Sequence, residues 1–216
     1  MLLNLSPNKI KPTTKLFNDT YKYKVVVVTA LAHWFKKEFI LNFTKKLKEL
    51  TETSSSLWIQ LKKEGGSAYA ESVYDVLTSI TNYNVRVEHP YLHIYTNNLS
   101  DIQTIVDLNE SRVKFVFLPE NEDLLSAGVV FSKRINFQYK ITLGQSAQSY
   151  DSFVKWCKDN PKIRITKKTE KNLLRARSYD PGYFYVKDDK SMTMVKMFVG
   201  AIIRKVETIV NPNMNK

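Results

Sequence analysis

Gly182-Tyr183-Phe184-Tyr185-Val186, followed by residues 190–199 and then 203–210, decides the fold. The first stretch reads as a strand. In the second, Met194, Val195, Phe198 and Val199 recur at helical spacing before a glycine stop at Gly200. The third is a last strand. Ninety-two residues earlier the order repeats: Tyr91-Leu92-His93-Ile94 as strand, 100–108 as helix with Asn109 as its stop, and 113–118 as strand.

Working outward, Phe137-Gln138-Tyr139-Lys140-Ile141 and a helix over 151–158 match Tyr21-Lys22-Tyr23-Lys24-Val25 and a helix over 38–50. The missing strands are 162–166 and 85–88. Both halves then read β-α-β-β-α-β, the ferredoxin-like order, in which two right-handed crossovers put both helices on one face of a four-stranded antiparallel sheet. The expected class is therefore α+β, with tandem domains over 20–118 and 133–210. The N-terminal half adds a helix over 67–81, with Tyr69, Val73, Val76, Leu77 and Ile80 at helical spacing after Gly65-Gly66, and 57–63 is read as a short strand before it. Residues 119–132, with Pro119, Glu120, Glu122, Asp123 and Gly128, are expected to be the linker, and 1–19 and 211–216 to be poorly ordered.

Charge separates the halves further. Residues 133–216 hold 18 Lys and Arg against 7 Asp and Glu, whereas 1–132 hold 15 against 14, so nearly all of the net +12 lies in the second half. Such a one-sided positive field points to a phosphate backbone as partner. Between 162 and 177 stand Lys162, Arg164, Lys167, Lys168, Lys171, Arg175 and Arg177 against the single acid Glu170. In the expected topology these form the second strand and its connection to Gly182, at the rim of the sheet. The alternative is a solvated charge run.

Strand alternation places further groups. With Leu92 and Ile94 toward the helices, Tyr91, His93 and Tyr95 face the open side; with Phe184 and Val186 inward, Tyr183, Tyr185 and Lys187 do the same. Exposed strand aromatics beside basic residues suit single-stranded nucleic acid, since bases stack on the rings while cations hold phosphates. The Gly182 to Val186 stretch resembles the third-strand octamer of the RNA-recognition motif, with Tyr183 and Tyr185 at its two stacking positions. Pro181, Phe184 and Asp188 depart from that pattern, and the first strand presents Gln138, Lys140 and Thr142 rather than a ring. The resemblance covers five residues and a topology. It implies a strand aromatic platform and no more. The other reading of the aromatics is packing, of one open face on another or on a second subunit.

Enzymatic signatures are sparse. The sequence has no P-loop, G-x-G-x-x-G, H-E-x-x-H or G-x-S-x-G. His89 and His93 lack a third metal ligand nearby, and Asp188-Asp189 and Glu122-Asp123 fit turns and caps, so no catalytic residue, metal or cofactor is expected. Tandem ferredoxin-like domains with a basic cleft also resemble the CRISPR repeat-processing endoribonucleases. That resemblance implies metal-independent RNA cleavage with His33 as general acid or base, but the C-terminal region here holds a single glycine, Gly200, in place of a glycine-rich loop. Cys157 is expected to be a packed thiol. No apolar run is long enough for a membrane span and no secretory signal is evident, so a cytoplasmic protein is expected. The bias toward Asn, Lys, Ile and Thr with 6 Gly suggests an AT-rich, phage-like genome. The leading expectation is a non-enzymatic protein binding single-stranded RNA or DNA through the residues named above. The alternative is a structural or assembly protein, viral or phage, that docks proteins or copies of itself through its open sheets.

Overall fold

The computed structural model describes residues 5–53, 55–108, 110–175, 177–180 and 182–211. The helix stop expected at Asn109 lies outside them. Two units, Met1–Asp123 and Leu124–Lys216, each enclose their own core.

In the first unit, β1 (Ile10–Thr13) and β2 (Tyr23–Val28) precede α1 (Lys37–Ile40), α2 (Phe43–Thr51), α3 (Ser56–Lys63) and α4 (Gly66–Ser79). The hairpin β3 (Tyr83–Glu88) and β4 (Tyr91–Thr96), then α5 (Leu99–Leu108) and β5 (Val113–Pro119), complete it. In the second unit, β6 (Val129–Phe131), β7 (Tyr139–Leu143), α6 (Asp151–Asp159) and β8 (Ile163–Ile165) come first. They are followed by α7 (Lys167–Leu173), β9 (Tyr183–Val186), α8 (Asp189–Val199) and β10 (Ile203–Val210).

The class is mixed α+β with two five-stranded sheets, ordered β1-β5-β2-β4-β3 and β6-β10-β7-β9-β8. Numbered within its own unit, each sheet has the same order. In both, the first strand lies parallel to the last while the other pairings are antiparallel. The sheets are therefore five-stranded and mixed rather than four-stranded and antiparallel. The added strands come from segments assigned to the N-terminus and to the linker. Both are short, three or four residues, and pair along one edge only, so their periodicity is too brief to read.

Three further elements differ from expectation, the first being the helix expected over 38–50, which is interrupted at Leu41 and Asn42 to give α1 and α2. Residues 57–63 are helical, because Ser55 caps α3 by accepting from Trp58 N and Leu61 is its buried residue, so the apolar positions follow a helix turn rather than alternation. The connection from β8 to β9 contains α7, started by Thr166, whose hydroxyl accepts from Thr169 N at 3.1 Å.

The cores obey strand alternation. Val25, Val27, Leu92 and Ile94 meet Tyr69, Leu77, Ile102 and Val106 in the first unit; Ile141, Leu143, Phe184 and Val186 meet Phe153, Leu173, Val195 and Val199 in the second. Full burial of each large side chain contributes about 1.5–3 kcal/mol. Among the described residues no helix is long and apolar enough to cross a membrane.

Candidate nucleic-acid interface

On the second unit's sheet, Phe184 and Val186 fill the core, so Tyr183 and Tyr185 emerge on the face opposite the helices. Register sets their neighbours. Tyr185 stands between Arg164 on β8 and Lys140 on β7, and Tyr183 pairs with Thr142. The Lys140 ammonium lies 4.8 Å from the Tyr183 ring centroid, and the two tyrosines meet edge to face at 5.7 Å. Phe137, just before β7, adds a third ring 6.0 Å from Tyr185. The sequence pattern places Phe137 inside the strand, on the same side as Tyr139 and Ile141, whereas β7 begins only at Tyr139 and the ring is not bound by that alternation.

The electrostatics are net positive. Lys140 Nζ and Lys205 Nζ lie 3.4 and 3.3 Å from the carboxylate of Glu207, whose side chain is buried. Among the described residues paired across these strands, Arg164, Lys140 and Lys205 stand as cations beside Glu207. Burial, then the neighbouring Tyr183, raises the Tyr185 hydroxyl above its ordinary value, with Arg164 opposing. The Tyr185 phenol thus remains a neutral ring at neutral pH, suited to stacking.

A small device fixes the start of β9. Thr169 Oγ1 donates to the Tyr183 carbonyl at 2.8 Å and accepts from Tyr183 N at 3.1 Å, while the Thr166 hydroxyl lies 2.8 Å from it. Gly182 has φ +98°, and a Cβ there would stand 2.6 Å from Thr169 Oγ1. Glycine is required.

The remaining basic residues do not join one strip. Arg164 faces Tyr185, but Lys167, Lys171 and Arg175, about one helical turn apart, line a shallow groove on α7 with Glu170 and exposed Leu174. α7 packs beside α6, with Leu173 accepting from Tyr150 N and Glu170 paired to Lys158 at 2.6 Å, so this ridge belongs to the helical layer rather than to the sheet rim. Lys162 pairs with Asp188 at 2.8 Å and holds that carboxyl well below the usual range; Lys168 pairs with Asp180 at 3.2 Å. Lys187 follows the end of β9, exposed, its backbone N–H bonded to the Lys162 carbonyl. Arg177 sits apart from the strip, beside Tyr179 in the stretch that pairs with the loop after β7.

The corresponding face of the first unit is not open. His93 and Tyr95 are buried, since residues 14–22 turn back and set Phe17 and Tyr21 against the Tyr95 ring, at 5.6 and 6.3 Å. Lys24 lies within 6 Å of the Phe17, Tyr95 and Phe117 centroids, and burial lowers its ammonium pKa. His93 Nε2 is 3.4 Å from Glu88 without hydrogen-bond alignment, and Nδ1 makes no hydrogen bond among the described residues. His33 is exposed against Phe39 at 4.7 Å. Among the described residues, no group of three His, Cys, Asp or Glu is placed to hold a metal. Compared with protein-family models, curated proteins and solved structures, the chain matches none.

Proposed function

We propose that this protein binds single-stranded RNA or DNA, without acting on it as an enzyme, through the helix-free face of its second sheet. The observation that carries the reading is the in-register row Arg164, Tyr185 and Lys140, with Tyr183 beside it. Two rings at adjacent outward positions of one strand offer stacking surfaces worth about 1–3 kcal/mol per base, and the flanking cations supply phosphate contacts. The ridge of Lys167, Lys171 and Arg175 lies on another surface of the same unit. Its role in this reading is to enrich the local field and draw the polyanion in, so its loss slows capture more than it loosens the stacked complex.

We further read each unit as a ferredoxin-like core extended by a parallel edge strand. In support, setting β1 and β6 aside leaves the orders β5-β2-β4-β3 and β10-β7-β9-β8, with helices in both crossover connections. That is the order expected for βαββαβ.

Fluorescence anisotropy of the full chain with labelled single-stranded RNA, single-stranded DNA and duplex, across a salt series, tests the function. The expected result is preference for a single strand with affinity falling steeply as salt rises. Absence of oligonucleotide affinity, with salt-insensitive self-association, would instead assign the face to protein docking in an assembly.

A further inference from the structure

Past the ends of β7 and β9 the two chains stay paired. Leu143 N donates to the Gly182 carbonyl at 2.9 Å, and Ser146 and Ser178 exchange both backbone hydrogen bonds, at 2.8 and 2.9 Å. This extension of the strand pair forms the wall of a groove of about 350 Å³ lined by Gln145, Ser146, Ala147, Arg177, Ser178 and Tyr179. The volume falls within the range of about 300–1,000 Å³ typical of small-ligand sites. Ser146 and Ser178 are buried and fixed by their mutual pairing, and the Ser146 hydroxyl donates to the Gln148 carbonyl at 2.5 Å. The groove wall is therefore held by backbone hydrogen bonds.

Its other walls are chemically specific. Tyr179 is 84% exposed, the most exposed of the tyrosines among the large hydrophobic residues at the surface. A ring so placed gains nothing from the fold, and its whole face is available to a planar partner. Arg177 brings a guanidinium, whose planar fork suits phosphate, and Gln145 brings an amide able both to donate to and accept from a base edge. Tyr183 is the first residue of β9, four positions beyond Tyr179, so at strand rise the two lie no more than about 13 Å apart along the chain. The groove thus lies within a short chain reach of Tyr183.

We infer that this groove seats one nucleotide, its base on the Tyr179 ring and its phosphate on Arg177, as an end station of the strand bound across the sheet. The inference deepens the proposed function and rests on it for the strand, but the groove can be examined by itself. Titrate the full chain with adenosine 5′-monophosphate, adenosine and inorganic phosphate, following amide resonances, and repeat with Tyr179→Ala, Arg177→Ala and Met197→Ala. The monophosphate is expected to perturb residues 145–147 and 177–179 and to bind more tightly than either adenosine or phosphate. Tyr179→Ala and Arg177→Ala each weaken it about tenfold or more, while Met197→Ala, an exposed position on α8 outside the groove, leaves it unchanged. No binding, or binding indifferent to both groove substitutions, overturns the groove. Parallel oligonucleotide titrations separate the claims: strand affinity without a mononucleotide site sinks the groove alone, and a mononucleotide site without strand affinity sinks the strand reading alone.

Discussion

Cys157 shows how much one residue's surroundings decide. The sequence expectation of a packed thiol rested on its place in an amphipathic helix, and the side chain is indeed buried among Phe153, Val154 and Leu173, with burial pushing its pKa up to about 12. Because the thiolate is the reactive form, the native protein is expected to resist a disulfide reagent and to release one equivalent only when unfolded. Stoichiometric modification of the folded chain would contradict this. His93 was legible in position but not in environment: alternation put it opposite the helices, yet the cover from residues 14–22 could not be read from a loop without periodicity. Burial first, and then Lys24, hold its imidazole below the ordinary value, with Glu88 acting the other way and Arg86 and Lys114 adding to the lowering. As pH falls past about 6.5 the unfolded chain takes up the proton before the folded one does, so stability declines through that window and is fully present above it. Urea midpoints are expected to drop between about pH 7.5 and pH 5, and to drop less in His93→Gln; equal drops would remove His93 from the explanation.

At the scale of elements, α7 carries the largest revision. Its seven residues include three lysines and one glutamate, and only Thr169 and Leu173 are buried, so the charge run hid the helical pattern. A basic rim was expected and a separate helical ridge is found. Arg164, by contrast, was placeable from the strand, because a three-residue β8 still alternates. The threonine pair that opens α7 links this helix to Tyr183, which gives a testable coupling. Thr166→Ala removes the cap and is expected to cost about 0.5–2 kcal/mol in denaturant unfolding. Gly182→Ala costs about 1–3 kcal/mol for the positive φ, and more for the clash with Thr169. If Gly182→Ala leaves both stability and oligonucleotide affinity unchanged, the strand start is not held as described. For binding, Arg164→Glu is expected to weaken a single-stranded oligonucleotide about tenfold or more, whereas the triple change Lys167→Glu, Lys171→Glu and Arg175→Glu acts mainly on the association rate. Stopped-flow association separates the two.

At the scale of the whole molecule, the repeated order of elements was legible and the edge strands were not. The repeat appeared because strand, helix and strand recur at a nearly constant offset, although the single helix expected over 38–50 is divided into α1 and α2. β1 and β6 escaped because parallel edge pairing leaves no mark on so short a segment. The candidate face was visible in Tyr183 and Tyr185; its partner Lys140 was visible too, but as an outward residue without a role. Only the register across three strands joins them. The asymmetry between units follows from the same comparison. One helix-free face is covered by the chain's own aromatic residues, and the other presents rings among cations, matching the charge imbalance of the two halves. Since each unit has its own core, residues 124–216 expressed alone are expected to fold and to keep single-strand affinity within a few-fold of the full chain.

The most direct measurement is equilibrium binding of the full chain to a labelled single-stranded oligonucleotide over a salt series, wild type beside Tyr183→Ala/Tyr185→Ala. We predict that the double substitution lowers affinity at least about tenfold at every salt concentration and leaves the salt slope unchanged, because it removes stacking while the cations remain. Equal affinities for the two proteins would contradict the aromatic platform.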